Sequence, residues 1–320
     1  MRPLPPHTSP DTKGTRNGIF RFATNAAADG HPLAELRPYI DWTYFFHAWG
    51  FEPRYASIAR ADSPESWLAA IPPRQQAKAA EARRLYHDAG LLLDQLAACP
   101  TARVESIYRL CTAYSDGDDL LLDGVRLPLL RQQTSRGTTE APSLCLSDFV
   151  RPLSQSIPDV VGVFATAAHM PETDTGTADD PYRHLLVQTL ADRLAEAATE
   201  LAHLWIRRHA WGYAPDERLD IPALLAGKFQ GIRPAVGYPS LPDQSVNFIL
   251  DRLLQFGRIG ISLTPSGAMS PHSSTSGLML AHPAARYFAV GPIGTDQLED
   301  YARRRELSAD ALRRFLPNVR

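Results

Sequence analysis

K-F-Q-G-I-R-P-A-V-G-Y-P-S-L-P, from Lys228 to Pro242, packs three prolines and two glycines into fifteen residues. Such a segment forms neither a regular helix nor a central strand. Phe229, Ile232, Val236 and Tyr238 give it apolar side chains to bury, which a flexible linker lacks. Pro234 fixes one dihedral, Arg233 and Tyr238 are restricted by the prolines that follow them, and Gly237 permits a turn or a close backbone approach. A stiff loop with an arginine at one end and Gly-Tyr at the other suits an anionic, partly aromatic ligand. An ordered proline-rich surface loop is the plainer reading.

Just upstream, Asp180-Pro181 is a helix start, an N-cap followed by proline, and the pattern runs to Trp211, where Gly212 stops it. Leu190, Leu194, Ala197, Leu201 and Leu204 fall on one face. Asp192, Glu196 and Glu200 step by four along another, as a solvated row or as carboxylates for a cationic ligand. Farther back, Y-I-D-W-T-Y-F-F-H-A-W from Tyr39 to Trp49 has six aromatic residues in eleven. Asp41 in that cluster either caps a helix or meets a ligand, and His47 reads as a core histidine. Gln75 to Ala98 predicts an amphipathic helix, Val104 to Leu121 a strand, turn and strand with Ser115 to Asp119 as the turn, and Val160 to Ala167 a buried strand.

Downstream of the loop, the pattern predicts a helix over Val246 to Phe256 and a short strand over Ile259 to Leu263. A hairpin follows, with Leu278 to Leu280 and Arg286 to Val290 as its arms, and then helices near Asp296 to Arg305 and Ser308 to Phe315. Residues 1–25, rich in Pro, Thr, Gly and Asn, read as a disordered arm, leaving 26–320 as one domain. Met1 followed by an arm of its own suits a free-standing chain.

The 320 residues are 44% hydrophobic, enough for a sizeable core. Thirty-three basic and 35 acidic side chains leave a formal charge of −2, so no electrostatic footprint for nucleic acid or a membrane surface is present. No apolar run has the length of a membrane span, and the start lacks a signal peptide's apolar core, which makes a cytoplasmic protein the expectation. Cys99, Cys111 and Cys145 read as buried thiols of a reduced compartment. There is no nucleophile elbow, P-loop, H-E-x-x-H or Rossmann glycine turn. The chain reads as one that binds something without acid–base or nucleophilic machinery of its own.

Seven stretches together resemble the activation domain of cobalamin-dependent methionine synthase, in that family's order and over roughly residues 30–320. They are Y-I-D-W-T-Y-F-F at Tyr39, L-R-Q-Q at Leu130, L-A-D-R-L-A-E-A at Leu190, W-G-Y-A-P-D-E at Trp211, F-Q-G-I-R-P-A-V-G-Y-P at Phe229, H-P-A-A-R-Y-F-A-V at His282 and D-Q-L-E-D-Y-A-R-R at Asp296. The resemblance implies an α+β fold, a single C-shaped domain with a bent antiparallel sheet and flanking helices. It implies S-adenosylmethionine as the ligand, with Arg233 pairing with its carboxylate, as a guanidinium fork suits. By the same resemblance Asp41 and Glu196 face the ammonium and sulfonium, and backbone groups of Pro234, Ala235, Val236 and Gly237 take the adenosine. Tyr287 is a further contact for the carboxylate, and Tyr238 faces the corrin of a docked cobalamin domain.

The partners so implied are a cobalamin-binding methionine synthase core, which supplies the cobalamin, and a flavodoxin-type electron donor. The activity implied is reductive methylation of cob(II)alamin, which needs placement of two reactive groups and no general acid or base. Gly227 stands where the family carries a glutamate, and Ser270 where it carries a tryptophan. The alternatives are a sensor or scaffold that binds S-adenosylmethionine or a corrinoid protein, and a reactivator of another corrinoid methyltransferase.

Overall fold

The structure, a computed structural model, describes residues 16–24, 30–133, 143–171 and 180–317. Of the arm expected over 1–25, residues 1–15 and 25 lie outside the described residues. Within it, Asn17–Ala23 forms a strand, β1, which corrects that expectation. Composition taken over the Pro- and Thr-rich start hides a period of two, in which Phe20 and Phe22 share a face and pack into a core.

Strand β2, His31–Pro32, runs parallel to β1 over two rungs. Helix α1, Trp42–Ala48, turns Phe45 and Phe46 inward, and α2, Pro64–Ala69, starts from a Ser63 capping box. Helix α3, Gln76–Ala98, follows the expected apolar stripe through Leu85, Leu92 and Leu96. His47 corrects the reading of a core histidine. It follows two inward phenylalanines on a short helix, so the turn of the helix carries it to solvent.

Strands β3, Arg103–Asp116, β4, Asp119–Leu122, and β5, Val125–Pro128, form an antiparallel meander. Asp116 pairs with Asp119, so the first turn is Gly117-Asp118 alone, while Asp119 is buried in the sheet. The second turn, Asp123-Gly124, has φ of 49° and 84°, the primed geometry that matches strand twist. Strand β6, Asp159–His169, is the apolar run expected near Val160 and lies on β3.

Helix α4, Pro181–Trp205, opens with the Asp180 carboxylate accepting the Arg183 N–H and widens into a π turn over Ile206–Ala210. Short α5, Ile221–Leu225, and α6, Val246–Leu254, follow. Strands β7, Ser262–Leu263, and β8, Met269–Ser270, pair as a small ribbon, and β9, Ser274–Met279, joins the main sheet beside β6. Helices α7, Thr295–Arg305, and α8, Ala309–Arg313, close the described chain. The main sheet has seven strands, β2-β1-β3-β4-β5 with β6 on β3 and β9 on β6. The fold is α+β.

The expected hairpin of Leu278–Leu280 with Arg286–Val290 is absent. Ile232 and Leu280 exchange both backbone hydrogen bonds at 2.9 Å, so the loop before α6 occupies the edge that the second arm would have used. Val290 instead donates its N–H to the Pro239 carbonyl at 2.9 Å.

The chain divides into two compact units. One comprises Phe20–Glu105 and Ala167–Leu201, and its core joins Phe22, Leu36, Phe45, Phe46, Leu92, Leu190 and Leu194. The other comprises the chain up to Ile19, Ser106–Thr166 and Ala202–Arg320. Val161, Val163, Phe164, Leu250 and Leu278 are buried in it, and Leu130, Val290, Ile293, Leu298, Tyr301 and Leu312 form a separate cluster. Among the described residues no helix is long and apolar enough to cross a membrane.

Candidate functional site

Ile232–Val236 behaves as an irregular strand laid antiparallel on β9. Ile232 pairs with Leu280, the Leu278 N–H donates to the Pro234 carbonyl at 3.0 Å, and the Val236 N–H donates to the Ser276 carbonyl at 2.9 Å. Two glycines make the approach possible. Gly231 has φ of 86°, and a Cβ there would sit 2.1 Å from the Leu280 oxygen; a Cβ on Gly277 would sit 2.2 Å from the Pro234 oxygen. In such a pairing alternate residues turn their peptide groups away from the partner strand. Ala235 is one of them, and its N–H has no partner among the described residues. Beyond it, Gly237 at φ 87° donates its N–H to the Leu241 carbonyl, closing a turn that leaves the Tyr238 ring exposed.

Arg233 stands between two supports. Its backbone N–H donates to the Tyr287 hydroxyl at 2.9 Å, and its Nη1 lies 3.3 Å from Nδ1 of His203. His203 is fully buried on α4, one turn before Arg207, whose Nη1 is 2.8 Å from the same Nδ1. Arg207, also fully buried, makes two bonds to the Glu217 carboxylate, at 3.0 and 2.6 Å, and lies 4.0 Å over the Phe229 ring. Burial, reinforced by the two guanidinium groups, holds His203 well below the usual imidazole range, so it is neutral. The Tyr213 hydroxyl, pushed up by burial, donates to the Gln230 carbonyl, and the Gln230 amide donates to Ala281. The loop is thereby tied to its own unit at Gln230, Ile232, Pro234 and Val236.

In the other unit, Asp41 caps α1, its Oδ1 accepting the Thr43 N–H at 2.8 Å. Its second oxygen has no hydrogen-bond partner among the described residues. Glu196, half-buried on α4, likewise has no hydrogen bond or ion pair among them. The Arg193 guanidinium lies 5.8 Å over the Tyr44 ring, which sets α1 beside the stretch of α4 that carries Glu196. Among the sequence-predicted residues, then, the structure joins Arg233 through Gly237 with Tyr287 in one unit and places Asp41 and Glu196 in the other.

A family model described as "Vitamin B12 dependent methionine synthase, activation domain" matches residues 32–306. The chain belongs to that activation-domain family. A crystal structure of the MetH reactivation domain bound to AdoHcy is similar to it at 34% identity and a TM-score of 0.81, covering 98% of this chain and 93% of that one. Within the activation-domain fold, Gly227 has a local reason. The Lys228 N–H donates back to Ala223 and the Gly227 N–H to Leu224, a left-handed stop to α5 that glycine meets at φ 66° without strain. Ser270 lies exposed on β8.

Sequence reading passed over His203, Arg207 and Glu217. A signal was present, since a histidine and an arginine four apart share one helix face, and Glu217 closes the W-G-Y-A-P-D-E stretch. Elsewhere, a cleft of about 650 Å³ is lined by Arg126, Arg252, Arg304, Arg305, Phe248 and Phe315, among others. Arg126, Arg304 and Arg305 are already paired with Asp116, Asp119, Asp300 and Asp243, which leaves that cleft poor in uncompensated charge. No group of three or more metal-ligating side chains occurs among the described residues.

Proposed function

We propose that this chain binds S-adenosylmethionine and presents it for reductive methylation of cob(II)alamin carried by a separate cobalamin-dependent methionine synthase core. The observation that carries the reading is the fixed segment Gly231–Gly237, with Arg233 at its head and the Ala235 N–H turned outward, in a member of the activation-domain family. AdoHcy, bound by the similar reactivation domain, is S-adenosylmethionine less its methyl group, which supports the same class of ligand here.

The residues present fit that ligand. Arg233 offers a planar fork to the carboxylate, and Tyr287, whose oxygen already accepts the Arg233 N–H, has its proton left to donate to the same group. Asp41 and Glu196 are the carboxylates for the ammonium and sulfonium. Pro234, Ala235, Val236 and Gly237 offer backbone to the adenosine, with the Ala235 N–H as donor. Exposed Tyr238 faces the corrin brought by the partner.

S-adenosylmethionine supplies an electrophilic methyl group, and the reduced cobalt of the partner's cobalamin is its acceptor. This chain's residues grip the two ends of the ligand and hold the sulfonium methyl in line, so the rate gain is one of placement. The electron comes from a flavodoxin-type donor, and the setting is cytoplasmic. Calorimetry with S-adenosylmethionine tests the reading: binding that Arg233→Ala weakens by about ten- to a hundredfold supports it, and unchanged affinity in that variant removes Arg233 from the site.

A further inference from the structure

We propose that His203 is a positioning residue, whose neutral Nδ1 lone pair orients the Arg233 guanidinium for the ligand's carboxylate. This rests on the reading of Arg233 as the carboxylate anchor. Two guanidinium nitrogens, from Arg207 at 2.8 Å and Arg233 at 3.3 Å, converge on Nδ1. A guanidinium only donates hydrogen bonds, so Nδ1 must accept and the ring proton must sit on Nε2. The tautomer is therefore imposed by its neighbours.

The ring is also held in place. Phe229 meets it edge-on at 5.0 Å between centroids, and the same phenyl face supports Arg207. Arg207 is pinned by its fork to Glu217, which leaves its contact with His203 nearly fixed. The longer bond to Arg233 is the adjustable one. Phe229 and Arg233 belong to one tied-down segment, so helix and loop register against each other through this imidazole.

The choice of acceptor has a chemical sense. A carboxylate at position 203 would hold Arg233 firmly but neutralise it, and would compete with the incoming carboxylate for the same fork. A neutral imidazole contacts the guanidinium without adding a negative charge beside it. Ordering a long side chain before binding is worth about tenfold in affinity.

The test is calorimetry of wild type, His203→Phe and His203→Gln with S-adenosylmethionine and with decarboxylated S-adenosylmethionine, which lacks the carboxylate. The wild type should prefer the carboxylate-bearing ligand. His203→Phe should lose about tenfold for that ligand alone, and His203→Gln, which keeps a neutral acceptor, should recover most of it. Equal losses for both ligands, or none, overturn the proposal. Proton–nitrogen correlation spectra of the wild-type imidazoles give an arm independent of variant folding. They should show His203 protonated on Nε2 only, with Nδ1 shifting on addition of S-adenosylmethionine and not of the decarboxylated form; a proton on Nδ1 overturns the proposal. If the wild type binds neither ligand, or binds both alike, the carboxylate reading of Arg233 itself fails, and this inference with it.

Discussion

Gly277 and Pro234 touch backbone to backbone: a Cβ built on Gly277 would lie 2.2 Å from the Pro234 carbonyl oxygen. Replacing Gly277 by alanine must push the loop off β9. The cost expected is about 1–3 kcal/mol, as for other overpacked sites. Urea unfolding measures it, and ligand affinity should fall with it because the loop carries Arg233.

Arg233→Ala should weaken S-adenosylmethionine binding by about ten- to a hundredfold, the worth of a charge-assisted hydrogen-bond pair. Arg233→Lys should restore only part of this, because a point charge does not reproduce a two-pronged contact. Titration calorimetry reads both. A lysine variant as tight as wild type would show that charge alone matters.

The buried His203 predicts an acid-sensitive fold. Its folded pKa lies well below the ordinary 6.5, so the unfolded chain binds the extra proton first. Stability from this group is complete above the unfolded value and declines as pH falls below it, by up to about 1.4 kcal/mol per pH unit. The groups in contact with the ring are Arg207, Arg233 and Phe229, and among the described residues no carboxylate hydrogen-bonds to it to offset the effect. His203→Gln should flatten this limb in urea titrations run across that pH range, and an unchanged slope would refute the assignment.

The three thiols should separate sharply. Burial pushes Cys111 up to about 12 and Cys145 up to about 11, whereas Cys99, half-buried, is lowered by its contact with Thr101. A thiol reagent at about pH 8 should therefore label Cys99 quickly, with the other two reacting only after denaturation.

Asp119 is buried between Arg126 and Arg304. Its replacement by alanine removes one of the two carboxylates that hold Arg304, which keeps Asp300 and the Leu129 carbonyl, and the expected loss is about 1–3 kcal/mol. Thermal and urea unfolding should agree on it.

What could be read from residues alone depended on how local the signal was. The Asp180-Pro181 start, the stripe of α3 and the β3–β4 turn are set by neighbours in sequence, and their elements stand close to where the pattern puts them. Residues Gly231 to Gly237 announced themselves through proline and glycine chemistry. The edge they occupy did not, because which segment pairs with β9 is settled by a competition between distant stretches, and Ile232 outcompetes Arg286–Val290 there. Asn17–Ala23 was hidden by its surroundings, and His47 by the aromatic residues beside it. Arg207 and Glu217 were invisible as a pair because ten residues of chain and a π turn separate them.

That π turn has a consequence for engineering. Ile206–Ala210 completes its circuit with more residues than an α-helical turn requires, so everything beyond it is out of phase with α4. Deleting one residue there would rotate Trp211 and the W-G-Y-A-P-D-E stretch by roughly a quarter turn about the axis. Glu217 would then swing away from Arg207 without any change in its own identity. Homologues or designs that alter the length of this short stretch should be expected to change the anchor of the loop, even where every contacting side chain is kept.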